Sequence, residues 1–300
     1  MFDLQINGLY LPQNNISCDF WSNPSQDQIK DLSAFLDKQG IQGYLATIIT
    51  DSKANIKKNL EAIQAAINSE ANPNLLGVHI EGAIISKLGM HPQEHSESLA
   101  SLEDVKDIVE KFSDIIRIWT LCPRVDKDSS ITKYLQEKNI IVSYGHTSAS
   151  YKEAQKALKE NQVKLVTHWG NAMAIVKGMQ QRAVTDADLE KLKNLDSIPE
   201  DQKEFGIAVL EDPDVKIMII CGSEEDKDIH LDPKLVKFLF DHYGKRLILV
   251  TDAVYNKPVD QEGLRGGRNT LKKHIENLQA LGVDEKLIKH ATLANPASLL

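Results

Sequence analysis

Lys164-Leu165-Val166-Thr167-His168-Trp169-Gly170-Asn171-Ala172-Met173 (KLVTHWGNAM) opens as an apolar run of the kind that makes a buried strand, then sets an imidazole and a carboxamide at its end. The same ending recurs along the chain. Leu76-Gly77-Val78-His79-Ile80-Glu81-Gly82, Val142-Ser143-Tyr144-Gly145-His146-Thr147 and Leu249-Val250-Thr251-Asp252-Ala253 are each apolar at the start and ionisable at the finish. Barrels of parallel strands gather their reacting groups where the strands run out into the following loops, so this pattern points to such a barrel.

Working outward, β-branched runs predict strands over 2–8, 43–49, 75–82, 116–123, 140–147, 164–171, 215–222 and 247–253. Between them, apolar residues at three- and four-residue spacing predict helices over 26–39, 53–68, 102–112, 129–138, 150–161, 233–242 and 268–281. Strands that alternate with helices need crossover connections and pair in parallel, and eight such units match a closed (β/α)8 TIM barrel of the metal-dependent hydrolase type. An open doubly wound sheet is the alternative. No linker or repeat interrupts the pattern, so residues 1–300 read as a single domain, with the polar stretch 183–204 as an insertion on the rim.

The 300 residues are 42% hydrophobic, enough for a substantial core, and the 35 basic and 43 acidic side chains leave a formal charge of −8 without long single-sign runs. That balance argues against nucleic acid or an anionic membrane as partner. Cys18, Cys122 and Cys221 are few and widely spaced, suggesting neither disulfides nor a thiolate cage. With no signal-like start and no membrane-length apolar run, the expectation is a cytoplasmic protein.

A single His or Asp at a strand end is usually a satisfied loop residue. In a closed barrel, however, Glu81, His146 and His168 converge on one mouth, where unpaired charge is costly. Two imidazoles and one carboxylate suit one divalent ion, with zinc foremost and iron or another ion as alternatives, and leave a coordination position for water. Water bound there ionises near pH 7. Asp252, on a neighbouring strand end, could take its proton and later hand it to a leaving group. His91 and His230 are candidate donors to a substrate, His79 is expected to lie behind the ligands, and His95, His242, His274 and His290 are expected at solvated positions.

These blocks together resemble the N-acetylglucosamine-6-phosphate deacetylases of the amidohydrolase superfamily. Asp3-Leu4-Gln5-Ile6-Asn7-Gly8 is similar to the family's opening strand, His79-Ile80-Glu81-Gly82 to its HLEG segment, and Gly89-Met90-His91 to its G-x-H. Gly145-His146-Thr147, Thr167-His168 with Asn171-Ala172-Met173, Asp228-Ile229-His230, Thr251-Asp252-Ala253 and Ala291–Ala297 follow in the family's order. The resemblance implies that Glu81, His146 and His168 bind the metal and that Asp252 is the acid/base. It also implies that His91 and His230 touch the sugar, and that Asn171 and Ala172 meet its phosphate end. The implied reaction is attack of a metal-bound hydroxide on the acetamide, with an amino sugar as the small-molecule partner. A different small amide, or sugar-phosphate binding without turnover, are the rival readings.

Departures from the family pattern are specific. Asp3 and Gln5 stand where many amidohydrolases carry an H-x-H pair, which implies one metal rather than two. Gly170 stands in place of an aromatic residue, Met179 in place of a phosphate-binding arginine, for which Lys177, Arg182, Arg265 or Arg268 are the candidate substitutes, and Ala83 in place of a proline. The expectation is also that the family's flanking small β-sandwich domain is lacking, with a homodimer admitted.

Overall fold

The computed structural model describes residues 1–87, 101–222, 229–255, 267 and 269–300. Eight parallel strands form one sheet in the order β1 (Phe2–Ile6), β4 (Gly43–Ile49), β5 (Leu75–Glu81), β6 (Ile116–Leu121), β7 (Ile141–Tyr144), β8 (Leu165–Val166), β9 (Lys216–Ile220) and β10 (Leu247–Val250). Because β1 also meets the end of β10, the sheet is a nearly closed barrel. The helices α1 (Gln26–Lys38), α2 (Lys53–Asn68), α3 (Leu102–Phe112), α4 (Ser130–Glu137), α5 (Tyr151–Asn161), α6 (Asp186–Lys193), α7 (Phe205–Glu211) and α8 (Pro233–Tyr243) lie between the strands in the chain, and α9 (Leu271–Ala280) follows the last of them. Their starts are written locally: Ser25 with Gln28 and Ser150 with Glu153 form reciprocal capping boxes at the heads of α1 and α5.

Side-chain alternation divides the interior in two. Leu4, Leu45, Ile118, Leu165, Met218, Ile220, Ile248 and Val250 fill the barrel, whereas their strand neighbours, such as Trp119 and Ile219, pack in the separate, larger cluster that includes the apolar helix faces. On β5, β6 and β7 the inward positions above this plug turn polar: His79, Thr120 and Ser143. The apolar filler therefore supports a polar rim at the strands' C-terminal ends.

Three local expectations are corrected. The chain after β1 does not simply end its strand but folds into a hairpin, β2 (Gly8–Leu11) with β3 (Ile16–Asp19). Pairing of the sixth barrel strand covers only Leu165–Val166, because the backbone leaves extended geometry by His168. The helix α7 was invisible to a periodicity reading, since six of its seven residues are buried and no polar face marks it.

The barrel is closed across β1 and β10 by a buried polar seam. Thr251 donates from Oγ1 to Asp3 Oδ2 at 2.7 Å and from its backbone N–H to Asp3 Oδ1 at 3.2 Å, and the amides of Asn7 and Gly8 both reach the Ala253 carbonyl. Burial pushes the Asp3 carboxyl up to about 7 against the pull of these donors. Between the ordinary carboxylate range and pH 7, native Asp3 holds a proton that the unfolded chain has released, so its contribution to stability falls as pH rises through that window. Asp3→Asn should remove this slope. In urea unfolding, the variant should gain up to about 3 kcal/mol relative to the parent between pH 4.5 and 7.5, and parallel pH profiles would refute the assignment.

Candidate metal centre

Glu81 ends β5, while His146 and His168 each lie two residues beyond β7 and β8. Their donor atoms converge: His168 Nε2 is 2.6 Å and His146 Nε2 3.1 Å from Glu81 Oε1, and the two Nε2 atoms are 3.1 Å apart. All three residues are buried. His146 and His168 have φ of 46° and 26°, in the left-handed region that costs a side-chain-bearing residue about 1–2 kcal/mol. That turn lets strand-end side chains bend over the barrel mouth.

The surrounding loops hold these backbones in place. Ser86 and Lys87 donate their amides to the His146 carbonyl, while Thr147 donates to Ala172 and Asn171 to His168. His146 Nδ1–H donates to the Lys87 carbonyl at 2.8 Å, which fixes the tautomer and leaves the Nε2 lone pair facing Glu81 and His168. Burial opposes charge on Glu81, yet the two adjacent histidine rings outweigh it and hold its carboxyl well below the usual range. It is thus an anion at neutral pH.

The donor set fits a divalent cation. Ligands about 2.0–2.1 Å from a tetrahedral ion lie about 3.3 Å from one another, close to the 3.1 Å spacings here. Glu81, His146 and His168 form a group of His and carboxylate donors able to hold a metal among the described residues.

Beneath the cluster runs a directed hydrogen-bond chain. Burial lowers the pKa of His79 to about 4, so the ring is neutral. Its Nδ1 lies 3.1 Å from the Leu4 carbonyl and must donate to it, which leaves Nε2 to accept from Thr120 Oγ1 at 2.7 Å. Thr120 must then accept from Thr167, and Thr167 from Ser143, each at 2.6 Å. His79 is therefore a satisfied core residue behind Glu81, as its position two residues earlier suggested. Thr120, Thr167 and Ser143 were missed, although polar residues at inward positions were the available signal.

Asp252 follows β10 with φ of 49°. Gln5 Nε2 and Asn7 Nδ2 both donate to its Oδ1, at 2.9 and 2.6 Å. Burial and the charge of Glu81 push its carboxyl up to about 8, with His168 and Asn7 pulling the other way. The strand pair facing the site is accordingly Gln5 and Asn7, not Asp3 and Gln5. β1 carries one more residue than β4 between Asp3 and Ile6, and such a bulge breaks the two-residue alternation on which the sequence reading relied.

Asn171 is nearly buried, and its Nδ2 has no partner among the described residues, nor has His168 Nδ1 or Gln5 Oε1. Ala172, with φ of 50°, supplies the carbonyl that Thr147 binds. His230 is buried next to Leu231, whose side chain packs at Gly170. His91, His95, Arg265 and Arg268 lie outside the described residues. His242 and His290 are exposed as expected, His242 with its Nδ1 donating to the Phe238 carbonyl, but His274 is buried in α9.

No family model matches the chain. It is 28% identical to N-acetylglucosamine-6-phosphate deacetylase of Bos taurus over 276 residues, covering 90% of this chain and 59% of that protein. Among solved structures, the deacetylase of the same name from Pasteurella multocida superposes with a TM-score of 0.77 at 24% identity, over 99% of this chain and 75% of that one. The Mycobacterium smegmatis enzyme, as a point mutant in complex with N-acetyl-D-glucosamine-6-phosphate, gives 0.79 at 17% identity, over 100% and 76%. The chain thus spans about three-fifths of the length of the curated relatives it matches. Its homologues and structural neighbours are N-acetylglucosamine-6-phosphate deacetylases, hydrolases that act on amide bonds.

Proposed function

We propose that this chain is a mononuclear, divalent-metal amidohydrolase that removes the acetyl group from an N-acetylated amino sugar of the N-acetylglucosamine-6-phosphate type. In this reading Glu81, His146 and His168 are the ligands and Asp252 is the acid/base. The observation that carries it is the convergence of one carboxylate and two Nε2 atoms within 3.1 Å, on three separate strand ends. Glu81, His146 and His168 would hold a divalent ion, zinc matching the donor set best, and when bound it would supply Lewis-acid polarisation of the amide carbonyl and a lowered pKa for water. Asp252 accepts the proton of the attacking water and returns it to the departing amine as the C–N bond breaks. Its elevated pKa suits both halves of that exchange near neutral pH.

His91 and His230 are proposed to touch the sugar, and Asn171 and Ala172 its phosphate end. The unpartnered Asn171 Nδ2 supports a ligand-facing role for that residue. A second reading, in which the substrate is another small amide, is favoured by one observation. Met179, in the position of the family's arginine, packs partly buried against the core and offers no charge, while Lys177 and Arg182 are both exposed. Among the described residues no helix is long and apolar enough to cross a membrane.

Purified protein should carry about one divalent ion per chain and release amine from N-acetylhexosamines or their 6-phosphates. His168→Ala should lower metal occupancy, since two donors remain. Asp252→Asn should keep the ion and lose about 10²- to 10⁴-fold in turnover. Turnover confined to the 6-phosphate supports the amino-sugar-phosphate reading, turnover confined to other amides the second, and metal-free, inert protein refutes both.

The pocket wall also generates a stability prediction. Ala83 has φ of 60° and donates its N–H to Thr50 Oγ1 at 2.9 Å, whereas the resembling family carries proline there. Proline holds φ near −65° and has no N–H. Ala83→Pro should therefore cost about 3 kcal/mol or more in denaturant unfolding. A smaller loss would mean that this loop can take the family's conformation.

A further inference from the structure

Trp21 lies just beyond β3, in the turn that leads out of the hairpin, and is half-buried. Its indole Nε1–H is 3.3 Å from Asn7 Oδ1. An indole nitrogen can only donate, so it decides which way the Asn7 amide points: Oδ1 toward Trp21, and Nδ2 toward Asp252. The turn itself is pinned to the same residue, because the Phe20 amide donates to the Asn7 backbone carbonyl at 3.0 Å, and Trp21 donates its own amide to Asp19 Oδ1. Asn7 is buried and its backbone is tied to Ala253. The side-chain amide torsion is thus the freedom left to it, and Trp21 sets that torsion.

At Asp252 the result is asymmetric. Gln5 and Asn7 both donate to Oδ1, engaging the lone pairs of that one oxygen. Oδ2 receives no side-chain donor among the described residues. A proton arriving at this carboxylate therefore finds only one oxygen available, and it is always the same one.

We propose that Trp21 is a positioning residue which, through Asn7, anchors Asp252 by Oδ1 and so reserves Oδ2 as the oxygen that carries the transferred proton. The inference rests on the amidohydrolase reading above. In the first step the water O–H bond breaks as its oxygen bonds to the acetamide carbon, and the proton goes to Oδ2. In the second the C–N bond breaks, the proton passes from Oδ2 to the nitrogen, and amine and acetate leave. Without the indole the Asn7 amide can turn over, placing its oxygen against Oδ1. That arrangement is repulsive when Asp252 is ionised and holds the proton on the wrong oxygen when it is not.

Trp21→Phe keeps the ring and removes the donor. With the metal-loaded protein and an N-acetylhexosamine or its 6-phosphate, kcat should fall about three- to tenfold, the worth of one hydrogen bond. KM should stay within about twofold and metal content should be unchanged. In an Asn7→Ala background, Trp21→Phe should have no further effect on kcat, since its route to Asp252 is gone. Independently of activity, the chain has three tryptophans, and Asn7→Ala should shift the Trp21 indole N–H resonance while leaving those of Trp119 and Trp169 in place. An inert parent protein refutes the amidohydrolase reading. An active parent with unchanged kcat in Trp21→Phe, multiplicative losses in the double variant, a change mainly in KM, or an unmoved Trp21 resonance overturns the positioning role alone.

Discussion

Closure of the sheet is the constraint from which the site follows. Once β1 meets β10 through the buried Asp3–Thr251 pair and the Ala253 carbonyl, parallel strands can end only at a common rim. Residues 81, 146, 168 and 252 then become neighbours without any local sequence signal linking them. The same closure excludes water from the rim's base, where apolar filler gives way to His79 and the hydroxyl chain. A carboxylate so placed must be neutralised, and Glu81 is met by two imidazoles at 2.6 and 3.1 Å.

Strain and satisfaction are separated in space. The hydroxyl chain from Ser143 through Thr167 and Thr120 to His79 and the Leu4 carbonyl leaves no member unpaired, and every donor direction in it is forced by the one before. One layer higher, His146, His168, Ala172 and Asp252 all adopt left-handed backbones, and atoms of Gln5, His168 and Asn171 lack partners among the described residues. A rigid, fully paired floor carries a rim with unused hydrogen-bonding capacity. That is the usual division between scaffold and binding surface.

Much of this was legible in the sequence, for physical reasons that also set the limit. Strands buried on both faces read as apolar runs, so Gly43–Ile49 and the helices 53–68 and 102–112 could be placed to the residue, and ionisable residues at strand ends pointed to the ligands. What could not be read depended on backbone detail. The bulge in β1 hides in an alternation that looks regular, and α7 has no polar face to give it a period. The left-handed turns at His146 and His168 carry no glycine to announce them. Trp21 was unreadable for another reason: its partner is fourteen residues away, across a hairpin whose strands fell within what looked like one strand and a loop.

The bulge has a wider bearing. One additional residue between Asp3 and Ile6 reverses the facing of the side chains before it, so that Asp3 turns to Thr251 while Gln5 and Asn7 face Asp252. A chain of this architecture can therefore exchange one set of first-strand functional groups for another by gaining or losing a single residue, with no substitution at the rim. For proteins that share this barrel, an alignment correct to within one position would still misassign the first strand's contribution to the centre.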